Sequence, residues 1–100
     1  MPQKISFDYD GTFSTLKGLE LATRLKDEGN TIYIISARES RTNMLPRANK
    51  AGILFSRVYA TGSNENKVQK IKDLEIDIHY DNNENVVSQL PGVGRLFKND

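Results

Sequence analysis

One hundred residues, 37% apolar and 27% charged, with a formal net charge of +1, describe an ordinary globular chain with room for one hydrophobic core and no second domain. That balance gives no general attraction for nucleic acid or a membrane surface, and the absence of cysteine excludes disulfides and thiolate metal sites. The start lacks a signal-like apolar segment and no run reaches membrane-spanning length, so a soluble, cytoplasmic protein without membrane contact is expected.

Lys4 to Tyr9 is a short apolar-rich run that reads as the first strand. It leads into Phe7-Asp8-Tyr9-Asp10-Gly11-Thr12, where alternation along a strand would turn Asp8 and Asp10 to one side and Tyr9 to the other. Such a pair suits a hard cation, although an Asp-Gly turn closing a strand is the plainer reading. Leu16, Leu19, Ala22 and Leu25 then recur at helical spacing, with Gly29 as C-terminal cap. Thr31 to Ile35 is β-branched and nearly continuous in apolarity, as a buried central strand should be. A second helix is predicted over about Met44 to Ala51, capped by Asn43, with Pro46 in its first turn and Gly52 closing it.

Arg57 to Thr61 reads as the third strand, and Ser63 or Asn64 opens a helix through Val68, Ile71 and Leu74. Ile76 to Tyr80 is the fourth strand, Asn83 caps a short helix ending near Pro91-Gly92, and Arg95 to Phe97 is a fifth, edge strand. The first two or three residues and Lys98-Asn99-Asp100 are expected to be loose ends. Alternating strands and helices of these lengths predict one α/β domain over residues 1–100, a mostly parallel sheet of four to five strands with helices on both faces.

Ligands of an open parallel sheet bind outside the carboxyl ends of its strands. The first strand delivers Asp8 and Asp10 there, and the second Ser36-Ala37-Arg38. The third delivers Thr61-Gly62-Ser63 and a helix whose first turn holds Lys67, and the fourth Asp81, Asn82 and Asn83. Carboxylates for a cation thus meet a hydroxyl and an ammonium for phosphate oxygens on one rim.

Asp-x-Asp-Gly-Thr, then Ser36, then Lys67 opening a helix, then Asp81-Asn82 resembles the motif order of the haloacid dehalogenase-like hydrolase superfamily, over roughly residues 4 to 90. The resemblance implies a three-layer Rossmann-like core, here a minimal one without a cap domain. It also implies phosphoryl transfer with Mg2+ as cofactor. In that reading Asp8 is the nucleophile and forms an aspartyl-phosphate, and Asp10 is first general acid and then general base. Ser36 and Lys67 hold the phosphoryl group, and Gly11, Thr12, Ala37 and Arg38 contact the substrate. Asp8, Asp10 (through its backbone carbonyl), Asp81 and Asn82 form the metal site, with Asp81 and Asn82 not separable at this level.

Relatives often carry two adjacent acids where this chain has Asp81-Asn82. They also usually insert a helical turn and a β-hairpin flap after the first motif, where here only Phe13-Ser14-Thr15 precede the first helix. An open site follows, suited to a bulky substrate such as a nucleic-acid end or a phosphoprotein, or to a lid from a second copy, with a nucleotide or a nucleic-acid terminal phosphate as the first expectation. A phosphate-binding or assembly module on the same fold is the alternative. A phosphoacceptor receiver domain ranks lower, because its acceptor Asp follows strand three, where this chain has Thr61-Gly62.

Each site residue has a plainer reading. Ser36 could cap its own turn, Lys67 could lie on a solvated helix face with Lys70 and Lys72, and Asp81-Asn82-Asn83 could cap a helix. His79 falls mid-strand and is read as a packing residue, as are Tyr9, Tyr33, Tyr59 and Tyr80. Arg38, Arg41, Arg47, Lys50 and Arg57 face Glu39 alone over that stretch, and are read as an ordinary basic surface from which Arg38 and Arg41 could reach the rim.

Overall fold

The computed structural model describes residues 2–99. Met1 and Asp100, read above as parts of loose ends, lie outside the described residues. Strands β1 (Lys4–Phe7), β2 (Thr31–Ser36), β3 (Val58–Ala60), β4 (Ile78–Asp81) and β5 (Gly94–Leu96) alternate with helices α1 (Leu16–Asp27), α2 (Leu45–Lys50), α3 (Asn64–Asp73) and α4 (Glu84–Ser88). All five strands are parallel, in the order β3-β2-β1-β4-β5. The chain therefore starts at the centre, winds out to β3, and crosses back over to place β4 on the other side of β1. The crevice between β1 and β4 at their carboxyl ends is the topological switch point, where an open α/β sheet binds its ligands.

Alternation along the strands builds one core on each face. Ile5, Phe7, Ile32 and Ile34 pack with Leu19 and Ala22 of α1 and Ala48 of α2. Ile35 packs on the opposite face with Val68 and Ile71 of α3 and Val86 of α4. Ser6 and His79, register partners on β1 and β4, fall on this second face beneath α3 and α4. The tyrosines pack against these cores as expected.

Local departures from the predicted elements have local causes. Pro46 has no N–H for the carbonyl of Thr42, so a 3-10 turn over Thr42–Met44 precedes α2 and Asn43 caps nothing. Gln3, expected to be loose, is tied in by Asn30 Oδ1 and by the Thr31 amide that donates to its carbonyl. Strand pairing on β1 ends at Phe7, and Tyr9–Phe13 then makes one wide turn in which Phe13 N donates to Asp8 O and Ser14 N to Tyr9 O. This turn lies largely within the first motif, and among the described residues no hairpin stands between it and α1, as the short Phe13-Ser14-Thr15 link implied.

This turn is held from two sides. Arg47 of α2 donates to Phe13 O at 2.7 Å and Thr15 O at 2.9 Å and lies over the Phe13 ring, so it is a clamp rather than a surface charge. Gly18, in the first turn of α1, lets the Thr12 carbonyl pass so close that a Cβ would sit 1.8 Å from that oxygen. Alanine normally stabilises a helix by about 1 kcal/mol over glycine. Here Gly18→Ala is expected to lower stability by about 3 kcal/mol through forced backbone displacement. Urea unfolding reads the difference, and an unchanged or raised midpoint would refute this packing.

Candidate active site

The carboxyl ends of the strands open on a cleft of about 600 Å³ whose lining includes Asp8, Asp10, Ser36, Lys67, Asp81 and Asn82. Lys67 reaches it from the first turn of α3, whose start is set by Ser63 accepting the Asn66 amide. Its side chain is 3% exposed. The ammonium lies 3.0 Å from Asp8 Oδ1 and 2.9 Å from Asp81 Oδ2. Asp81 Oδ2 also accepts from His79 Nε2 at 2.9 Å, and Asp81 Oδ1 accepts the Asn83 amide at 2.9 Å. His79 Nδ1 is 2.7 Å from Ser6 Oγ. A continuous hydrogen-bonded chain thus runs from mid-sheet to the cleft floor.

The two carboxylates that share Lys67 are not equivalent. Burial would raise Asp81, but the His79 hydrogen bond and Lys67 outweigh it and hold its carboxyl below the usual value. Asp8 is pushed up to about 6 by burial and by the Asp81 charge, against the opposing pull of Lys67. Burial also lowers His79, against the pull of Asp81.

Asp10 does not join Asp8. Strand alternation cannot place it, because pairing stops at Phe7 and Asp10 lies in the wide turn with Gly11 at φ +76°. Its carboxylate swings out to Arg38, accepting from Nε at 2.9 Å and Nη2 at 2.7 Å, while the guanidinium stacks over Tyr9. This hydrogen bonding holds the Asp10 carboxyl below its usual value. What Asp10 turns toward the floor is its backbone carbonyl.

That carbonyl oxygen lies 3.3 Å, and Asp8 Oδ2 3.1 Å, from one atom of the Asn82 amide end. With nitrogen there, Asn82 donates to both; with oxygen there, three oxygens from Asp8, Asp10 and Asn82 converge. The second arrangement suits a hard cation. Among the described residues no three His, Cys, Asp or Glu side chains form a metal-holding group, so a cation here would need the amide and the carbonyl beside Asp8. Asp81, expected as a possible ligand, has both oxygens engaged by three protein donors.

Ser36 accepts the Arg38 amide at 3.0 Å, which is the turn-capping role, yet no group among the described residues accepts its own hydroxyl hydrogen. Ala37 lines the cleft beside it. Gly11 and Thr12 do not line it: Gly11 makes room for Asn82, whose nitrogen would sit 2.2 Å from an added Cβ, and Thr12 is fully buried with an unpartnered hydroxyl. Sequence reasoning missed Ser6 and His79. The signal was available, because each stands two residues before a rim carboxylate along extended backbone, Asp8 just past β1 and Asp81 ending β4, hence on the same face.

No protein-family model matches the chain, and no curated protein matches it by sequence. A solved structure from Vibrio cholerae, provisionally described as a 3-deoxy-D-manno-octulosonate 8-phosphate phosphatase, is similar at a TM-score of 0.57 and 18% identity. The likeness covers 88% of this chain and 62% of that one, so this chain spans less than two-thirds of its neighbour's length. At that identity the likeness shows the fold alone, an α/β core on a parallel sheet, as the alternation of strands and helices predicted.

Proposed function

We propose that this chain is a magnesium-dependent phosphatase acting through an aspartyl-phosphate on Asp8, with a nucleotide or a nucleic-acid terminal phosphate as substrate. The observation that carries this reading is the setting of Asp8, a carboxylate on the floor of an open cleft with one oxygen on Lys67 and the other beside Asn82 and the Asp10 carbonyl. Asp8 attacks phosphorus, the ester P–O bond breaks, and the leaving oxygen takes a proton from Asp10. Water then attacks the acyl-phosphate phosphorus, gives its proton to Asp10, and frees phosphate and the Asp8 carboxylate. Ser36 donates its free hydroxyl hydrogen to a phosphoryl oxygen, and Lys67 balances charge on Asp8 and the phosphate.

The charge of the cleft supports the cofactor. Asp8, Asp81 and Glu84 line it against Lys67, with Asp10 already paired to Arg38, so a phosphate dianion meets a repulsive field. Magnesium held by Asp8, the Asp10 carbonyl and Asn82 would supply the missing positive charge. The substrate class rests on openness, since only Ser14 and Thr15 separate the wide turn from α1 and, among the described residues, no flap covers the rim there.

One observation favours a second reading, a phosphate-binding module without turnover: both Asp10 oxygens are occupied by Arg38. For Asp10 to act as an acid, that exposed pair must open. A panel of phosphate esters with magnesium, repeated with chelator, separates the readings. Turnover that chelator abolishes is expected, and binding without turnover on any ester would favour the module.

Asp8→Asn is expected to abolish turnover with the fold intact. It should also stabilise the metal-free protein. Asp8 binds its proton more tightly folded, at about 6, than at the unfolded value of 3.8. Its stabilising contribution is therefore complete below pH 3.8 and is lost as pH rises through about 6. The asparagine escapes that loss, so at pH 7.5 the variant should exceed wild type by about 1–3 kcal/mol in chemical denaturation, a gap that closes toward pH 4. Equal stability at pH 7.5 would argue against a destabilising Asp8 charge. Asp10→Asn should slow an alkyl phosphate by about 100-fold or more. It should cost less with p-nitrophenyl phosphate, whose leaving group needs little protonation. Equal losses on both esters would remove Asp10 from the acid role.

A further inference from the structure

His79 is the chain's only histidine, is fully buried, and takes no part in the reaction proposed above. Its surroundings fix its hydrogens. The Asp81 carboxylate can only accept, so the hydrogen sits on Nε2, 2.9 Å from Asp81 Oδ2. Nδ1 is then the acceptor for the Ser6 hydroxyl at 2.7 Å. Placing a serine and a histidine opposite each other inside a sheet, where aliphatic residues would pack, has a desolvation cost that these bonds only offset. Packing alone does not account for the pair. Its output is directional: His79 and Asn83 N fix the plane of the Asp81 carboxylate, and Asp81 Oδ2 fixes the Lys67 ammonium against Asp8.

We propose that His79, anchored by Ser6, is a positioning residue that turns Asp81 toward Lys67, so that Lys67 stays on Asp8 and Asn82 rather than Asp81 completes the oxygen set with Asp8 and the Asp10 carbonyl. This rests on Asp8 being the nucleophile. Second partners of this kind orient the groups that touch substrate or metal, and their loss typically costs about 10–100-fold.

The test combines kinetics with the spectroscopic signature of a lone histidine. With p-nitrophenyl phosphate and magnesium, His79→Leu is expected to lower kcat by about 10–100-fold while KM stays within about threefold. His79→Gln, whose amide can donate to Asp81, recovers most of kcat, and Ser6→Ala costs a few-fold. Nitrogen NMR of wild type shows the Nε2–H tautomer. That resonance moves in Asp8→Asn and on adding orthovanadate, although neither change touches the ring. Wild-type kcat in a folded His79→Leu, a glutamine variant no better than leucine, or an Nδ1–H tautomer overturns the proposal. Where His79→Leu does not fold, the glutamine and Ser6→Ala variants and the tautomer decide. If wild type turns over no ester, the phosphatase reading fails separately. The resonance then still decides the relay, since indifference to Asp8→Asn would sink it.

Discussion

One buried ammonium between two buried carboxylates sets the character of this molecule. Taking charges out of water costs several kcal/mol per ion even after relaxation, and a single Lys67 cannot fully compensate both Asp8 and Asp81. The competition is uneven. Asp81 adds a histidine and a backbone amide to its share and falls below the usual carboxylate range, whereas Asp8 is left rising to about 6. Asp8 is the group whose charge the protein does not balance by itself. An external cation would find its complement there, which favours this carboxylate over its neighbour for the role proposed above.

The backbone makes that asymmetry possible. β1 and β4 are neighbours because the chain reverses its winding direction after β3, and the reversal places Asp8 and Asp81 side by side at the switch point. α3 then crosses on the face that already holds Ser6 and His79, bringing Lys67 down onto the pair. On the opposite face the wide turn after Asp8 is pressed between Arg47 and α1 at Gly18. The carboxylate is fixed from below by polar groups and from behind by packing, a division of labour that preorganisation requires.

Much of this was legible before the structure, and the part that was not has a common cause. Strand and helix periodicity located all five strands and four helices, and a parallel sheet sends every carboxyl end to one rim, so Ser36, Lys67 and Asp81 could be placed beside Asp8 without coordinates. Periodicity ends where the strand ends. Asp10 was assigned a direction by alternation, but it lies in a turn governed by Gly11 and Asn82, and it points to Arg38 instead. Arg47 looked like surface charge because nothing in its spacing shows which carbonyls lie within reach. His79 looked like packing because the meaning of a mid-strand histidine depends on its register partner, and Ser6 lies more than seventy positions away.

The asparagine at position 82 follows from the same charge balance. A carboxylate there would bring a third acid within about 3 Å of Asp8 and of the Asp10 carbonyl, in a cleft that Asp81 and Glu84 already make negative. Mutual repulsion would raise the Asp8 carboxyl further and leave the protein without a cation poorly satisfied. An amide avoids both costs because it can present either end: nitrogen to two acceptors when the floor must satisfy itself, oxygen when a cation does so. What is given up is one unit of attraction for the metal. With Asp81 committed to Lys67 and His79, that exchange leaves Asp8 as the only anionic side chain in the oxygen set. In the proposed reading, affinity for a divalent cation would then depend on the substrate's own phosphate oxygens, so cation and substrate would each strengthen the other's binding.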